Sequence, residues 1–216
     1  MKKIALFTFY ILLSTSTVFS QDVDEKSQAI LNKLSSKMKT VQSFYLEFSA
    51  NIKNNATGMN ETSTGKGWVK GKKYYASYGD NTILSNGLKT WTIVKEEKTV
   101  YESDASDDNE ESMNPKKLLT IWENGFKNRY DREETLNGEA VHILYLYPKE
   151  ANKADYHTII LYISKTSNEV KKAILKNRDG AIMTYSITKF TPDETIEDVK
   201  FVFDARKYPG YEVIRD

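Results

Sequence analysis

Short runs of β-branched and aromatic residues alternate with turn-forming residues across residues 64–101. The runs are residues 64–70, 73–78, 82–87, 90–94 and 98–101, and Gly, Asn, Asp and Lys divide them. This spacing is typical of an antiparallel meander. Because each connection is too short for a crossover helix, the pattern predicts that neighbouring strands pair through hairpins.

A regular alternation of apolar and polar residues at 43–53 predicts one long strand before this meander. Residues 54–63, which follow it, are polar and predict a loop. One face of the strand is apolar and must be covered by another element. That face consists of Phe44, Leu46, Phe48, Ala50 and Ile52.

An amphipathic helix is predicted at residues 22–38, with Asp22 or Asp24 as its cap. Its periodicity leaves open whether it packs on a closed core or lies as a lid over an opening in the sheet. The apolar face carries Ala29, Ile30, Leu34, Met38 and Val41.

A second apolar helix is predicted between residues 114 and 125. Asn114 supplies the cap, Pro115 fits the first turn, and Gly125 favours termination. Its apolar side carries Leu118, Leu119, Ile121 and Trp122.

The second half of the chain is predicted to return to β structure. Asn137-Gly138 is a strong hairpin signal between strands at 128–136 and 139–147. Together the patterns predict a mainly β (α+β) fold with about ten or eleven strands, and an antiparallel sheet of that length curls or closes. The remaining predicted strands are 156–164, 170–177, 181–190, 199–203 and 211–214.

Two of these strands, at 142–147 and 159–163, are apolar on both faces. A half-solvated antiparallel strand alternates instead. A helix on the second face or a dimer interface explains the pattern. So does a barrel with an apolar lumen and a partly covered outside, and a lumen of that kind holds an apolar ligand.

Residues 1–20 are typical of a secretory signal peptide. Lys2 and Lys3 precede an apolar run at 4–13, and we expect cleavage after Ser20. The run is too short to span a bilayer comfortably. We therefore expect residues 21–216 to form a single exported domain.

Composition and charge narrow the possible functions. Cysteine is absent, which excludes disulfides, a cysteine nucleophile and a cysteine-linked lipid anchor. The formal net charge is +1, and it becomes −1 once the two lysines of residues 1–20 are removed. A near-neutral chain has no overall bias toward nucleic acid.

The titratable residues form no recognisable catalytic or metal-binding motif. His142 and His157 lack companions at ligand spacing. Six carboxylates occur at residues 102–111, but this run lacks the Gly and the terminal Glu of a calcium loop. It predicts a solvated loop. We expect no enzymatic activity, no cofactor and no metal.

The sequence resembles the periplasmic outer-membrane lipoprotein carrier (LolA-type) family over nearly the whole predicted mature chain. Residues 41–48 (VQSFYLEF) resemble the family's V-x-S-F-x-x-x-F opening after the first helix. Residues 65–70 (GKGWVK) and 85–91 (SNGLKTW) resemble G-x-L-W-V-K and S-D-G-K-x-x-W. Residues 115–119 resemble the second helix, and 201–213 resemble the closing F-x-F-x-P-P-x-G-V.

The resemblance implies an unclosed antiparallel β-barrel with a helical lid and a hydrophobic cavity. In the periplasm the cavity receives the acyl chains of lipoproteins from an inner-membrane ABC-type releasing complex. It then passes them to an outer-membrane acceptor, without covalent chemistry. We expect a monomer. The expected cavity and lid residues are Ile30, Leu34, Phe44, Leu46, Phe48, Ile52, Val69, Tyr75, Trp91, Ile93, Leu118 and Trp122.

The sequence departs from the family at one position. The family often has K-R-P after W-V, and that arginine is implicated in lid closure and cargo release. Gly71 stands there in this chain, so no role is carried over to it. Lys70 or Lys72 is a candidate for partial substitution, although lysine lacks the planar fork of arginine.

Three other hypotheses remain open at this point. The first is an exported protein of the same fold that binds or senses a lipid or glycolipid without handing lipoproteins on. The second is an exported enzyme, and the third is an interaction domain with a filled core.

Overall fold

The structure, a computed structural model, describes residues 24–105, 120, 122, 123 and 125–215. The predicted signal peptide, and with it the boundary of the predicted domain at residue 21, lies outside the described residues. The elements are α1 (Glu25–Thr40), β1 (Ser43–Asn54), β2 (Met59–Lys70), β3 (Lys73–Tyr78), β4 (Asn81–Ser85), β5 (Lys89–Val94), β6 (Thr99–Asp104), β7 (Phe126–Leu136), β8 (Glu139–Pro148), β9 (Tyr156–Ser164), β10 (Val170–Asn177), β11 (Ala181–Pro192) and β12 (Glu212–Arg215). Two short 3₁₀ helices, Asp198–Phe201 and Ala205–Lys207, precede β12.

All twelve strands belong to one sheet, in the order β12-β6-β5-β4-β3-β2-β1-β11-β10-β9-β8-β7. Two antiparallel meanders, β1–β6 and β7–β11, join where β1 pairs with β11. The outermost strands, β12 and β7, are not paired with each other, so the sheet is unclosed. The predicted mainly β, unclosed antiparallel architecture is confirmed, with the exception that β12 pairs parallel to β6.

The helix begins where the sequence predicts a cap. The Asp24 side chain accepts a hydrogen bond from the Ser27 backbone N–H at 3.0 Å, which satisfies one free donor of the first turn. The helix then buries Ile30, Leu31 and Leu34 against the sheet. We call the face of the sheet that packs on α1 the inner face.

The inner face carries the main hydrophobic core, which we call the inner cluster. Alternate residues of β1 enter it, as the period of a strand requires. Strands β2–β4 and β8–β10 also contribute buried residues, so the cluster spans both meanders. Its buried members are Ile30, Leu31, Leu34, Phe44, Leu46, Phe48, Ala50, Val69, Tyr74, Ala76, Ile83, Trp122, Leu144, Leu146, Ile159, Leu161, Ile163 and Val170.

A smaller core, the outer cluster, lies on the opposite face of β3–β6 and β12. Leu84, Ile93 and Val100 form its buried centre. Residues 195–211, which we call the outer segment, cover it with Phe203, Tyr208 and Tyr211. The segment is fixed further by the buried side chains Ile196 and Phe201.

Several local predictions are corrected by the structure. The predicted loop at 54–63 is mostly strand, because β1 continues to Asn54 and β2 starts at Met59. Side chains on both faces of this hairpin end are largely exposed, so the sequence there shows no apolar alternation. The predicted strand at 199–203 overlaps the 3₁₀ helix Asp198–Phe201.

The acidic run is not entirely a loop. Its first three residues belong to β6, where Glu102 receives a hydrogen bond from Trp91 Nε1 and Asp104 pairs with Lys89 at 2.8 Å. Ala105 is in a turn, and residues 106–111 lie outside the described residues. The predicted second helix lies mostly outside them too, and its described residues Thr120, Trp122, Glu123 and Gly125 are in turns and bends.

Candidate functional site

The space between α1 and the inner face is the candidate site. It is lined almost entirely by hydrocarbon and it is filled by side chains, with Leu34, Leu144 and Leu161 all fully buried. Protein interiors packed in this way leave little unoccupied volume. An apolar ligand therefore gains entry only if α1 moves away from the sheet.

Seven of the twelve predicted site residues meet in this inner cluster. The helix residues Ile30 and Leu34 face the strand residues across the cluster, and Trp122 also donates a hydrogen bond from Nε1 to Ser35 Oγ on α1 at 2.9 Å. Ile52 lies on the same face of β1 but is half-buried, and Leu118 lies outside the described residues. The seven are Ile30, Leu34, Phe44, Leu46, Phe48, Val69 and Trp122.

Three predicted residues, Tyr75, Trp91 and Ile93, lie on the opposite face, so their expected place in the cavity is corrected. Residues paired across an antiparallel ladder share a face. Counting the register from β1 through β5 puts Tyr75 and Trp91 with Tyr45 rather than with Phe44. All three join the outer cluster, where Trp91 stacks on Phe203 with ring centroids 5.6 Å apart.

The sequence-based prediction missed part of the site, because strands of the second meander are apolar on both faces. The structure resolves the ambiguity through register, since Leu144 pairs with Leu161 and Leu146 with Ile159 on the inner face. Pattern alone could not choose between this set and its neighbours on the other face. The missed inner residues of this meander are Leu144, Leu146, Ile159, Leu161, Ile163 and Val170, and those from the rest of the chain are Leu31, Ala50, Tyr74, Ala76 and Ile83.

The glycine at the start of the G-K-G-W motif is explained by a close contact. A Cβ placed on Gly65 in β2 would lie 2.3 Å from the ring of Phe48. No real side chain tolerates that distance. The Phe48 ring, which also stacks on Tyr78 with centroids 6.0 Å apart, therefore needs glycine at position 65.

An opening into the site lies beside the C-terminal end of α1. It has a volume of about 330 Å³ and reaches Phe44 and Val69 of the inner cluster. Its lining is mostly apolar and includes a few polar groups, as in sites for amphiphilic ligands. The other described lining residues are Met38, Lys39, Val41, Gln42, Gly71, Thr120 and Glu123.

A few polar contacts hold α1 at its two ends. Near the C-terminal end, Lys37 Nζ contacts Glu169 Oε1 at 2.6 Å and the Ser167 carbonyl at 2.8 Å. At the N-terminal end, Asp24 Oδ2 accepts from the Tyr130 backbone N–H at 3.0 Å. These contacts join the helix to the β9–β10 turn and to β7, which are the places where a moving helix would separate from the sheet.

The charges in these contacts are stabilised by their partners. Burial raises the pKa of Glu169, but hydrogen bonds from Lys37 and Ser167 and the charge of Lys37 outweigh it, so the pKa lies below its ordinary 4.5. The backbone N–H of Ser27 is the main cause that holds the pKa of Asp24 below its ordinary 3.8, with burial opposing it. Both carboxylates are therefore ionised at neutral pH.

Neither lysine next to Gly71 contacts α1. Lys70 Nζ bonds to the Ile196 carbonyl at 2.9 Å and to Asp198 at 2.8 Å, both on the outer segment. Lys72 is exposed. The structure thus shows no contact through which either of them reaches the lid helix, whereas an ion pair between Lys37 and Glu169 does reach it.

The described residues offer little to metal or proton chemistry. No three His, Cys, Asp or Glu side chains among them are grouped so as to hold a metal ion. His142 is half-buried beside the Tyr130 ring, and burial lowers its pKa below 6.5 despite Glu133 nearby. In this part of the chain, no helix has the length and apolar character needed to cross a membrane.

A family model described as outer membrane lipoprotein carrier protein LolA matches residues 16–181. The chain belongs to the LolA family. Members of this family bind lipids or lipoproteins and are periplasmic or exported. No curated protein matches the sequence of this LolA-family chain.

Several solved structures are similar to this LolA-family chain at low identity. An uncharacterized conserved protein from Thermus thermophilus is 11% identical, with a TM-score of 0.55 over 88% of this chain and 98% of that one. A putative outer membrane lipoprotein-sorting protein domain from Vibrio parahaemolyticus is 12% identical, with a TM-score of 0.47 over 82% and 96%. A LolA superfamily protein from Nitrosomonas europaea is 11% identical, with a TM-score of 0.44 over 82% and 97%.

Proposed function

We propose that this protein is a periplasmic carrier that holds the acyl chains of lipoproteins between α1 and the inner face of its sheet. It takes cargo from an inner-membrane ABC-type releasing complex and delivers it to an outer-membrane acceptor. Its work is binding and release, with no covalent step. In this proposal it acts as a monomer.

The observation that carries this proposal is the inner cluster itself. One helix covers an apolar face that extends over both meanders, and its buried residues Ile30, Leu31 and Leu34 make hydrocarbon contacts without direction. Acyl chains can replace such contacts, because burial of one apolar surface is worth about as much as burial of another, roughly 25 cal/mol per Å². The opening at Met38 and Phe44 gives the first part of the path.

The polar contacts of α1 fit a cover that leaves and returns. A helix held mainly by apolar packing, with an ion pair at one end and a cap contact at the other, opens at a lower free energy than the whole fold. Cargo binding then shifts the population toward the open form in proportion to its preference for that form.

A second candidate is a protein that binds or senses a lipid or glycolipid and hands nothing on. The observation that favours it is the absence of the family arginine: Gly71 occupies that position, and the neighbouring Lys70 is bonded to the outer segment. The ligand-binding interior is the same in both proposals, but release by a partner complex belongs only to the first.

The experiment that separates these candidates identifies the ligand and its position. A photo-crosslinker at Met38, which is half-buried at the opening, is compared with one at Lys33, which is exposed on the same helix. In cells that export the protein, Met38 should trap an acylated lipoprotein and Lys33 should not. Equal trapping at both positions would contradict a ligand under α1.

Native mass spectrometry of the same exported protein identifies the bound species. Bound triacylated lipoprotein supports the carrier, whereas a free lipid or glycolipid supports the second candidate. A protein without any bound amphiphile, and without saturable binding of a fluorescent fatty-acid analogue, would contradict both.

A further inference from the structure

The outer segment forms a pocket with the face of the sheet that is opposite the inner cluster. Its volume is about 420 Å³. Trp68 and Tyr75 provide an aromatic wall, with their rings 5.6 Å apart and edge to face. Neither the helix nor the acyl-binding interior contributes to it.

Three lysine side chains surround this aromatic wall. Lys200 Nζ lies 3.6 Å from the centre of the Trp68 ring and 4.4 Å from that of Tyr75, and Lys66 Nζ lies 5.7 Å from the Trp68 ring. Lys207 is a further wall residue. The aromatic faces attract these cations but carry no negative charge that would neutralise them.

Two of the nearby carboxylates are already engaged by other cations, whereas a third, Glu197, lies on the pocket wall and forms no ion pair with another described residue. Asp198 bonds to Lys70 and Lys73 at 2.8 Å each, and Asp204 accepts two hydrogen bonds from Arg206 at 2.8 and 2.9 Å. Among the described residues, no carboxylate forms an ion pair with any of the three pocket lysines. Three lysines thus face one unengaged carboxylate, Glu197, so positive charge is in excess at this pocket.

The positive charges of the pocket affect the titration of Lys200. Burial lowers the pKa of Lys200, and the charges of Lys66 and Lys207 lower it further. An anion bound between the three ammonium groups would relieve this repulsion.

Two apolar side chains project from the rim of the same pocket. Val199 is 73% exposed and Val202 is 56% exposed, whereas Phe201 between them is fully buried and fixes the backbone. Apolar side chains beside lysines are typical of segments that lie at the boundary between lipid headgroups and acyl chains. Two valines are too little apolar surface for the centre of a protein interface, which buries roughly 1,600 Å² in total.

We propose that the outer segment and the pocket beneath it form a peripheral site for phosphate-bearing headgroups at an anionic membrane surface. A headgroup phosphate binds among Lys66, Lys200 and Lys207, and Val199 and Val202 enter the upper acyl region. This inference goes beyond the carrier proposal and does not depend on it, because the site lies on the other face of the sheet. Such a site would hold the protein briefly at a membrane while its interior is loaded or emptied.

The test is sedimentation of the purified full chain with vesicles of phosphatidylglycerol and phosphatidylcholine in equal parts, against vesicles of phosphatidylcholine alone. The wild type should sediment only with the anionic vesicles. Lysines near an anionic surface each strengthen binding about fivefold, so the triple variant Lys66→Gln/Lys200→Gln/Lys207→Gln should lose affinity on the order of 100-fold.

The matched control removes the same charge elsewhere, through Lys53→Gln/Lys95→Gln/Lys149→Gln. These three lysines are exposed, and none of them forms an ion pair with another described residue. The control should bind vesicles as the wild type does, within about twofold for a loss of long-range attraction. If both triple variants lose the same affinity, net charge alone explains the binding and the site is overturned.

Two further measurements keep the test independent of stability and of cargo. The double variant Lys66→Gln/Lys207→Gln leaves the stacked Lys200 in place, and it should still lose affinity on the order of 20-fold if the site is real. All variants should bind a fluorescent fatty-acid analogue as the wild type does, so a failed carrier proposal and a failed membrane site give different results.

Soluble glycerol phosphate, titrated by NMR, distinguishes the source of the phosphate. Val199→Ser/Val202→Ser should leave its binding unchanged while weakening vesicle binding several-fold. Binding of glycerol phosphate without any binding of anionic vesicles would overturn the membrane proposal in favour of a site for a soluble anion.

Discussion

The two faces of the sheet are covered in different ways. On the inner face, eighteen buried residues of the described part of the chain pack together, and the cover α1 contributes the aliphatic side chains Ile30, Leu31 and Leu34. On the outer face, three of the described residues, Leu84, Ile93 and Val100, are buried in the cluster, and the cover contributes stacked aromatic rings. The inner cover is thus aliphatic and broad, whereas the outer cover is aromatic and narrow.

This difference shows which cover is able to move. Aromatic stacking is directional, and the ion pairs of Asp198 with Lys70 and Lys73 add to it, so the outer segment is held largely by contacts that depend on geometry. The aliphatic contacts between α1 and the inner face require only that water is excluded. A ligand with acyl chains meets that requirement as well as α1 does, which supports the proposed exchange on the inner side.

The largest expected effect comes from a charge within the inner cluster. Phe48→Glu would bury a carboxylate among hydrocarbon, because Phe48 is only 5% exposed. We expect a loss of about 5 kcal/mol in the free energy of unfolding, measured by urea titration, or a failure to fold. Lys53→Glu puts the same group on an exposed position of β1 and should change stability by less than about 0.5 kcal/mol. Equal effects would mean that the faces of β1 are wrongly assigned.

A smaller effect is expected from the contact between Gly65 and Phe48. Gly65→Ala forces the Phe48 ring to shift, since the new Cβ would lie 2.3 Å from it, and we expect a loss of about 2 kcal/mol. Phe48→Leu shortens the side chain that causes the clash. The double variant should therefore be less destabilised than the sum of the two single variants, and strict additivity would show that the ring is not the obstacle.

The outer cluster should be separable from ligand binding. Phe203→Ala removes a ring that stacks on both Trp91 and Tyr208, and we expect a loss of about 1.5 kcal/mol because the ring is half-buried. Affinity for a fluorescent fatty-acid analogue should stay unchanged. An affinity that falls in parallel with stability would show that the two faces are coupled.

The sequence predicted the inner cluster best where the local pattern was clear. Strand β1 and helix α1 each have one apolar side and one solvated side, so period 2 and period 3.6 identified Phe44, Leu46, Phe48, Ile30 and Leu34. At residues 60–63 the strand was missed, because both of its faces are largely exposed there and the sequence shows no apolar period.

The outer cluster could not be predicted, because its cover comes from distant parts of the chain. Trp91 and Tyr75 are apolar residues on a strand with two covered faces, and their local sequence does not show which face is inner. Register counted over several hairpins decides it, and the covering Phe203 is more than a hundred residues away. Such non-local pairings are not visible in any window of the sequence.

The smallest expected effect concerns the ion pair between α1 and the β9–β10 turn. Glu169→Gln keeps the shape of the side chain but removes the charge that faces Lys37, and both side chains are mostly buried, at 16% and 29% exposure. We expect α1 to be held less firmly by about 1 kcal/mol, so uptake of the fatty-acid analogue at pH 7 should be about fivefold faster. Lys33→Gln changes one exposed charge of the same helix and should have no such effect.

The dependence of uptake on pH provides an independent measurement of the same ion pair. Because the pKa of Glu169 is lower in the folded protein than its ordinary 4.5, its ionised form stabilises the fold fully above that pH, and this contribution is lost as the pH falls through the folded value. The wild type should therefore approach the uptake rate of Glu169→Gln as the pH is lowered below 4.5. Asp24 titrates in both proteins and cancels in the comparison. Equal rates at pH 7 would mean that the pair does not hold α1, and that apolar packing alone sets how often the helix opens.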